Sequence, residues 1–374
     1  MVARIIFALI VSVHGVIHLL GFIKEWRLAE LEGMSGETLF SIPAAVSRLL
    51  SIFWLLTCIA FLVSAAALLL HQDWWWKLMI SSVFLSQILI IIYWPDARYG
   101  TIANIAIIAV AGIALSESRF DEKVRSEIAM IFSGQSAQQP VKIVPSRLQQ
   151  MPESVQRWLH HSGAMNHAPI YSLRLQQNGR LRTTKDGRWM PVAAKQYVSI
   201  KNPAFVWQAR IRAAPLVTIH GRDKYHLGRG NMLIRLMSIL TVADARGPET
   251  DQGSLLRFLG EMVWYPHFAL STALTWQEID DTTAQVTMRY GDVAASGIFH
   301  FTSEGDVASF EADRYFEQGG AYTLERWHVR ITQYGVFEGM RVPARAEVTW
   351  KLAQGDFTWY IFEVTEIEYG WTPG

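Results

Sequence analysis

The sequence lacks most of the features that mark disulfide-stabilised, metal-dependent and nucleotide-binding proteins. Its 374 residues include one cysteine, Cys58, which excludes an internal disulfide and a multi-cysteine zinc site. It contains no HExxH, GxSxG or P-loop pattern, so three widespread catalytic signatures are missing and we expect no cofactor. The formal net charge is +1, without a block of Lys and Arg, which argues against a nucleic-acid partner.

Apolar residues are abundant and concentrate in the first third of the chain. Hydrophobic residues make up 51% and the mean hydropathy is +0.15. A membrane-crossing helix needs about 20 mostly apolar residues. Four runs approach or reach that length, at residues 5–23, 49–70, 78–94 and 102–115. They predict a multi-pass protein with a four-helix transmembrane region over residues 1–118.

The orientation of this region in the membrane does not follow from its charges. Five cationic side chains flank the spans on one predicted side and four on the other, which gives no decision under the positive-inside rule. The part of the chain after the spans has no cysteine at all. This favours an extracytoplasmic location for that part, because proteins in oxidising compartments often avoid free thiols.

Two histidines, His14 and His18, lie one helical turn apart inside the first apolar run, on nearly the same helix face. An ionisable residue inside a span is a candidate functional group, and the pair is a candidate metal or proton-relay site. A metal would need ligands from other spans, where polar residues are sparse. The favoured alternative is that both rings hydrogen-bond between packed helices, with Gly15 allowing close approach.

After the fourth run the pattern changes from helical to alternating. Residues 119–150 predict an amphipathic juxtamembrane helix, free to lie on the bilayer or to extend the fourth span, followed by a polar linker. From residue 151 to 374, stretches such as 283–290 alternate apolar and polar residues as half-buried strands do. The fold class predicted is α+β: the transmembrane bundle, then a curved, mainly antiparallel β half-barrel covered by one or a few helices, one of them at residues 253–264.

The second domain is rich in tryptophan, and this suggests a binding function. A curved sheet covered by a helix forms a concave apolar site of the kind that holds lipophilic molecules. We expect Trp207, Tyr225, Trp264 and Trp350 to line it. The predicted partner is a lipid or other lipophilic small molecule that is bound and not chemically changed.

Two alternatives remain open at this stage. In the first, the domain is an enzyme acting on a membrane lipid, with Glu261 or Asp280 as acid or base and His267 or Arg314 as a polar partner. The i,i+4 spacing also predicts a plain ion pair between Glu261 and Arg257. In the second, the domain is a scaffold or sensor that docks another protein, whose identity the sequence does not indicate.

Four segments of the second domain, taken in order, resemble a bacterial membrane-anchored family of undefined function. They are WMPVAAKQY at 189–197, FVWQAR at 205–210, LLRFLGEMVWYP at 255–266 and WQEIDD at 276–281. The family is similar in outline to half-barrel carriers that shelter lipid or lipoprotein acyl chains. The resemblance implies a location in the bacterial cytoplasmic (inner) membrane and supplies no catalytic residues.

Overall fold

The structure is a computed structural model that describes residues 2–31, 33–133 and 142–373. It clusters into two compact units, Met1–Arg119 and Phe120–Gly374. Long apolar helices are followed by an antiparallel sheet with accompanying helices, which confirms the predicted α+β class. The polar linker at 134–140 lies outside the described residues.

The first unit is helical, and its helices follow the apolar runs. Among the described residues, four helices are long and apolar enough to cross a membrane. Proline cannot continue a helix but is tolerated in the first turn of one. Helix α3 ends three residues before Pro95, which lies in the first turn of the short α4. The helices are α1 Val2–Glu25, α2 Ala44–Leu69, α3 Trp75–Ile92, α4 Trp94–Ala97 and α5 Gly100–Phe132, the last of which continues into the second unit.

The second unit is built on one sheet of 13 antiparallel strands. Their spatial order is β6-β5-β4-β3-β2-β1-β13-β12-β11-β10-β9-β8-β7, so that each half of the sheet is a simple meander. The strands are β1 Ser172–Leu181, β2 Met190–Ser199, β3 Ala204–Ala214, β4 Val217–His226, β5 Arg229–Leu236, β6 Leu240–Ala245, β7 Leu274–Asp280, β8 Thr283–Tyr290, β9 Val293–Phe301, β10 Val307–Gln318, β11 Ala321–Phe337, β12 Met340–Leu352 and β13 Gly355–Tyr369.

The register brings six hairpin turns to the same end of the sheet, which we call the hairpin end. These turns join residues 181–190, 214–217, 236–240, 290–293, 318–321 and 352–355. The last includes the sequence AQGD at 353–356, where Gly355 has a φ of +97° that favours glycine. The opposite end is covered by α6 (Glu153–His161), whose Trp158 ring stacks on Phe299 of β9.

The outer face of β3 to β5 is covered by residues 120–132 of α5, which we call the outer segment. Four apolar side chains at helical spacing make the contact, and they pack with Ala204, Val206 and Leu233. From the sequence, this amphipathic segment was expected either to lie on the bilayer or to extend the fourth span. In the structure it extends α5, and its apolar face is buried on the sheet. The four side chains are Phe120, Val124, Ile128 and Ile131.

A buried ion pair joins the outer segment to β4. The Glu127 carboxylate lies 2.9 Å from Arg222 Nε and 3.3 Å from Lys224 Nζ. Arg222 also donates to the backbone oxygen and the side-chain oxygen of Asn231, both at 2.6 Å. Arg222 and Glu127 are almost completely removed from solvent, so each compensates the desolvation of the other.

We expect Glu127→Ala to destabilise the second unit by about 3–5 kcal/mol, because it leaves Arg222 buried without a countercharge. The measurement is chemical unfolding of the detergent-purified full chain, followed by tryptophan fluorescence. Lys123→Ala is the matched control: it removes an exposed partner of the same carboxylate and should cost less than about 1 kcal/mol. Equal losses in the two variants would contradict the assignment.

Candidate ligand-binding site

The concave face of the sheet is covered by α7, which spans Pro248–Gly260. This helix contacts β4 and β5 on one side and β9 and β10 on the other, so the two halves of the sheet curl toward it. Its apolar residues fill the space beneath it, because Leu255, Leu256, Phe258 and Leu259 are all fully buried. Helix and sheet therefore share a single apolar interior.

Glycines let α7 approach the strands closely. A Cβ at Gly260 would lie 2.8 Å from the Phe310 ring, and one at Gly230 would lie 2.4 Å from the backbone oxygen of Thr250. Both distances are shorter than a normal contact between carbon or oxygen atoms, so any larger residue would push the helix away. The helix predicted at 253–264 is present, but it begins earlier, at Pro248, and ends at Gly260. A 3-10 turn at Glu261–Trp264 follows it.

A charged cluster lies beneath α7, centred on Arg257. Its Nε donates to Glu261 at 2.7 Å, and its Nη1 donates to Asp223 of β4 at 2.7 Å. Its Nη2 donates to the side-chain oxygen of Gln196 at 2.9 Å, and the Gln196 amide donates to the other oxygen of Glu261 at 2.6 Å. The guanidinium also lies over the rings of Phe205 and Trp207, at 4.9 and 5.1 Å from their centroids.

This geometry keeps Arg257 charged. Burial alone would lower the pKa of Arg257, but the charges of Glu261 and Asp223 and their hydrogen bonds outweigh burial and raise it above its ordinary value. Both oxygens of Glu261 are hydrogen-bonded, one to Arg257 and one to Gln196. The cluster is a closed set of complementary charges and hydrogen bonds, which fastens α7 to the sheet.

A second interior cation, Arg314 of β10, has a different environment. Its guanidinium lies beside Gly253 of α7 and over the Trp327 ring, at 4.9 Å. No carboxylate of the described residues forms an ion pair with it, and its side chain remains partly exposed. Burial lowers the pKa of Arg314 to about 10, partly offset by the charge of Asp223, so that it stays protonated at neutral pH.

The four predicted lining residues all belong to the same interior but do not form one contiguous surface. Trp207 contacts the Tyr360 ring, and its Nε1 donates to Gln177 at 3.1 Å. The Tyr360 ring stacks on Phe362. Trp264 packs edge-on against Phe362, so these four rings form a continuous row.

The other two predicted residues lie apart from this row. Tyr225 is fully buried, with its ring stacked on Phe205. Trp350 of β12 contacts Phe316 of β10, with 5.0 Å between the ring centroids. Tyr225 therefore belongs to the packed part of the interior, whereas Phe316 is partly exposed and lies near the hairpin end.

The remaining candidate catalytic residues are not gathered around Glu261. Asp280 is the last residue of β7, next to the turn into β8, and its carboxylate accepts hydrogen bonds from the Thr282 amide and hydroxyl at 2.9 and 3.0 Å. The hydrogen bond from the Thr282 amide lowers the pKa of Asp280 most strongly. The His267 ring lies 3.1 Å from the backbone oxygen of His167, away from the charged cluster.

The histidine pair of the first unit is hydrogen-bonded to neighbouring helices. His14 Nε2 lies 2.9 Å from the side-chain oxygen of Asn104, and His18 Nε2 lies 2.7 Å from Ser86 Oγ. A Cβ at Gly15 would lie 2.8 Å from Phe61 Cβ, so this glycine brings α1 and α2 together. Within the described residues, no group of three or more His, Cys, Asp or Glu side chains is placed to hold a metal ion.

Sequence analysis missed two members of the charged cluster, Asp223 and Gln196. The i,i+4 spacing predicts only the pair of Arg257 with Glu261, which the structure contains. A usable signal was present, because Gln196 and Asp223 occupy inward-facing strand positions that are normally apolar. Polar residues at such positions require partners.

We expect Arg257→Leu to lower the free energy of unfolding by about 3–5 kcal/mol, because it leaves Asp223 and Glu261 facing each other without a cation. Unfolding of the full chain in detergent, monitored by tryptophan fluorescence, measures the change. Arg246→Leu serves as the control, since it removes an exposed pair with Asp244 that is worth less than about 1 kcal/mol. A loss for Arg257→Leu no larger than the control would show that the cluster does not hold α7.

Comparisons with solved structures give remote matches to three bacterial proteins. A domain described as an outer membrane lipoprotein-sorting protein, from Vibrio parahaemolyticus, is 8% identical with a TM-score of 0.35, covering 61% of this chain and 95% of that one. A LolA superfamily protein from Nitrosomonas europaea is 10% identical with a TM-score of 0.36, covering 60% and 95%. A DUF1329 family protein from Desulfovibrio piger is 7% identical with a TM-score of 0.34, covering 59% and 94%.

Comparison at the sequence level is more specific. No curated protein matches the chain. Residues 149–369 match the profile of a family described as a family of unknown function (DUF6920). The match covers more than half of the chain and includes all four segments on which the resemblance was based. The chain therefore belongs to this family of unknown function, DUF6920.

Proposed function

We propose that this is a multi-pass membrane protein whose half-barrel domain binds a lipophilic molecule without transforming it. The observation that carries the proposal is the position of α7, which contacts both halves of the curled sheet and encloses an aromatic interior with them. Apolar surface removed from water contributes about 25 cal/mol per Å². Such an interior can therefore hold an acyl chain largely by apolar contact.

The side chains toward the hairpin end support an entry point there. Phe316 and Trp359 lie close to the turns at 318–321 and 352–355, and both side chains remain partly exposed. Deeper in, α7 is packed tightly, so a long ligand has to displace α7 from one half of the sheet.

Polar groups inside the domain support a ligand with one polar end. Arg314 has no carboxylate partner among the described residues, and a charge-assisted hydrogen bond to an anionic group would satisfy it. Two further buried polar atoms, the Tyr360 hydroxyl and Trp327 Nε1, have no hydrogen-bond partner within the described part of the chain. Trp327 is the ring beneath Arg314, so both features point to the same region. We infer an amphipathic ligand with an anionic head group.

The contacts of the carboxylates favour binding over catalysis. An acid or base needs a carboxylate oxygen that faces the substrate, and both oxygens of Glu261 are engaged by Arg257 and Gln196. Asp280 faces solvent next to a turn outside the interior. We therefore place Glu261 in the support of α7 and assign it no chemical step.

We further propose that the four long helices of α1, α2, α3 and α5 span the bacterial cytoplasmic membrane. Their length and composition support this. The absence of cysteine from the part of the chain after Cys58 supports an extracytoplasmic half-barrel. A domain on that side would meet lipids or lipid-modified molecules after they leave the inner membrane.

Native mass spectrometry of the detergent-purified full chain should detect a bound lipid. Phe316→Asp places a charge against Trp350 inside the domain and should reduce lipid occupancy at least tenfold, because contact of an acyl chain with a carboxylate in place of the Phe316 ring costs more than about 1.4 kcal/mol. Leu324→Asp is the control, since Leu324 is exposed on the outer face of the neighbouring strand. Absence of lipid from the wild-type protein, or equal occupancy in both variants, would contradict binding in the interior.

Arg314→Gln should weaken binding of a long-chain fluorescent fatty acid by about ten- to a hundredfold, while binding of its methyl ester changes little. The reason is the loss of a charge-assisted hydrogen bond, which is worth about 1.5–3 kcal/mol. The measurement is fluorescence titration of the purified full chain with both probes. Arg326→Gln, on the outer face of β11 and paired with Glu311 and Asp313, should leave both affinities unchanged. A parallel loss for acid and ester would contradict an anionic head group at Arg314.

A further inference from the structure

Exposed apolar side chains gather on two neighbouring hairpins of the hairpin end. Leu216 is 69% exposed in the β3–β4 turn, and Ile239 and Leu240 are 53% and 61% exposed in the β5–β6 turn. Val242 follows on the edge strand β6 and is 61% exposed. We call these four residues the apolar rim. Contiguous exposed apolar residues on a protein surface commonly mark an interaction site.

The rim is held in place by its backbone. The Met237 amide donates to the Thr218 backbone oxygen at 2.8 Å, which joins the two turns. Met237 and Ser238 have φ values of +52° and +57°, a conformation that side chains other than glycine rarely adopt. The strained turn directs Ile239 and Leu240 outward, where both side chains are exposed. Strain of this kind is common at functional sites.

The two hairpin stretches that carry the rim are cationic and contain no carboxylate. Residues 211–219 and 232–243 include Arg212 and Arg235 but no Asp or Glu. Arg212 is exposed, and Arg235 donates to the Ile239 backbone oxygen at 2.9 Å. Apolar residues combined with Arg and Lys are typical of surfaces that insert into the interfacial layer of an anionic membrane.

The rim also lies at the end of the unit where the chain enters it. Asp121, near the start of the outer segment, accepts from Gln208 at 2.7 Å and from Arg210 at 3.0 Å. Glu127, farther along the segment, pairs with Arg222 and Lys224 instead. The segment therefore begins toward the hairpin end, and β3 continues past Arg210 by four residues, about 13 Å, to its turn. In the sequence, the fourth apolar run stops five residues before Phe120.

We propose that the apolar rim docks the half-barrel on the surface of a bilayer that contains anionic lipid. Leu216, Ile239, Leu240 and Val242 enter the interfacial layer, and Arg212 and Arg235 lie at the level of the phosphates. This places the hairpin end, where Phe316 is partly exposed, against the lipid.

The test uses the full chain with Cys58→Ala and one new cysteine, Ile239→Cys, labelled with a small fluorophore. One protein is placed in each lipid nanodisc, made from phosphatidylcholine with or without phosphatidylglycerol. Val336→Cys is the matched control, because Val336 is 68% exposed on β11 at the opposite end of the sheet. Doxyl-labelled lipid should quench the fluorophore at 239 at least fivefold more strongly than the one at 336, and aqueous iodide should show the reverse.

Two further measurements decide the outcome. Doxyl quenching at 239 should be stronger with phosphatidylglycerol, and Arg212→Gln should remove that increase. Equal iodide quenching at 239 and 336 in both lipid compositions overturns the proposal. Protection from iodide without doxyl quenching also overturns it, since the rim would then be covered by protein and not by lipid.

Discussion

The domain depends on the buried guanidinium of Arg257. Its three hydrogen-bonded partners come from the 3-10 turn that follows α7 and from β2 and β4, so one side chain of the covering helix connects it to two strands of the sheet. An unpaired charge in this position would be expensive to bury, whereas a fully satisfied one specifies a single arrangement. The location of α7, and with it the volume enclosed beneath the curled sheet, follows from this contact.

Strand β4 carries charge to both faces of the sheet. Consecutive side chains of a strand point to opposite faces: Arg222 faces the outer segment and pairs with Glu127, and Asp223 faces inward and pairs with Arg257. The strand is thus covered by a helix on each side and held to each by a buried ion pair. In this region both faces of the antiparallel sheet are covered by helices, as in layered α/β proteins. Antiparallel sheets commonly leave one face in contact with solvent.

The sequence allowed the architecture to be predicted because the hydrophobic periodicities were strong. Alternation at 283–290 matches β8, and the helical spacing at 255–263 matches α7 and the turn after it. The outer segment was ambiguous for a physical reason: its stripe of Phe120, Val124, Ile128 and Ile131 can be buried equally well by lipid or by a sheet. The ambiguity is resolved only by the contacts of this stripe with Val206 and Leu233 of the sheet, which lie about 80 to 100 residues farther along the chain.

The charged cluster shows where local patterns stop being informative. Arg257 and Glu261 are one helical turn apart and were paired from spacing alone, but Asp223 and Gln196 are 34 and 61 residues from Arg257. Spacing carries no information about partners that only tertiary folding brings together. For the aromatic residues, composition indicated that they share one interior. Which of them are tightly packed, such as Tyr225, and which are partly exposed, such as Trp207, depends on the course of the strands.

The adjacent opposite charges of β4 bear on how a 13-stranded meander achieves the correct alignment. A shift of one residue between neighbouring strands reverses the face of every side chain. For β4, such a slip would turn Arg222 toward the cation of Arg257 and Asp223 toward the carboxylate of Glu127. Misaligned versions of the sheet would thus meet like-charge repulsion on both faces at once, so that a single dipeptide discriminates against the wrong pairing during assembly.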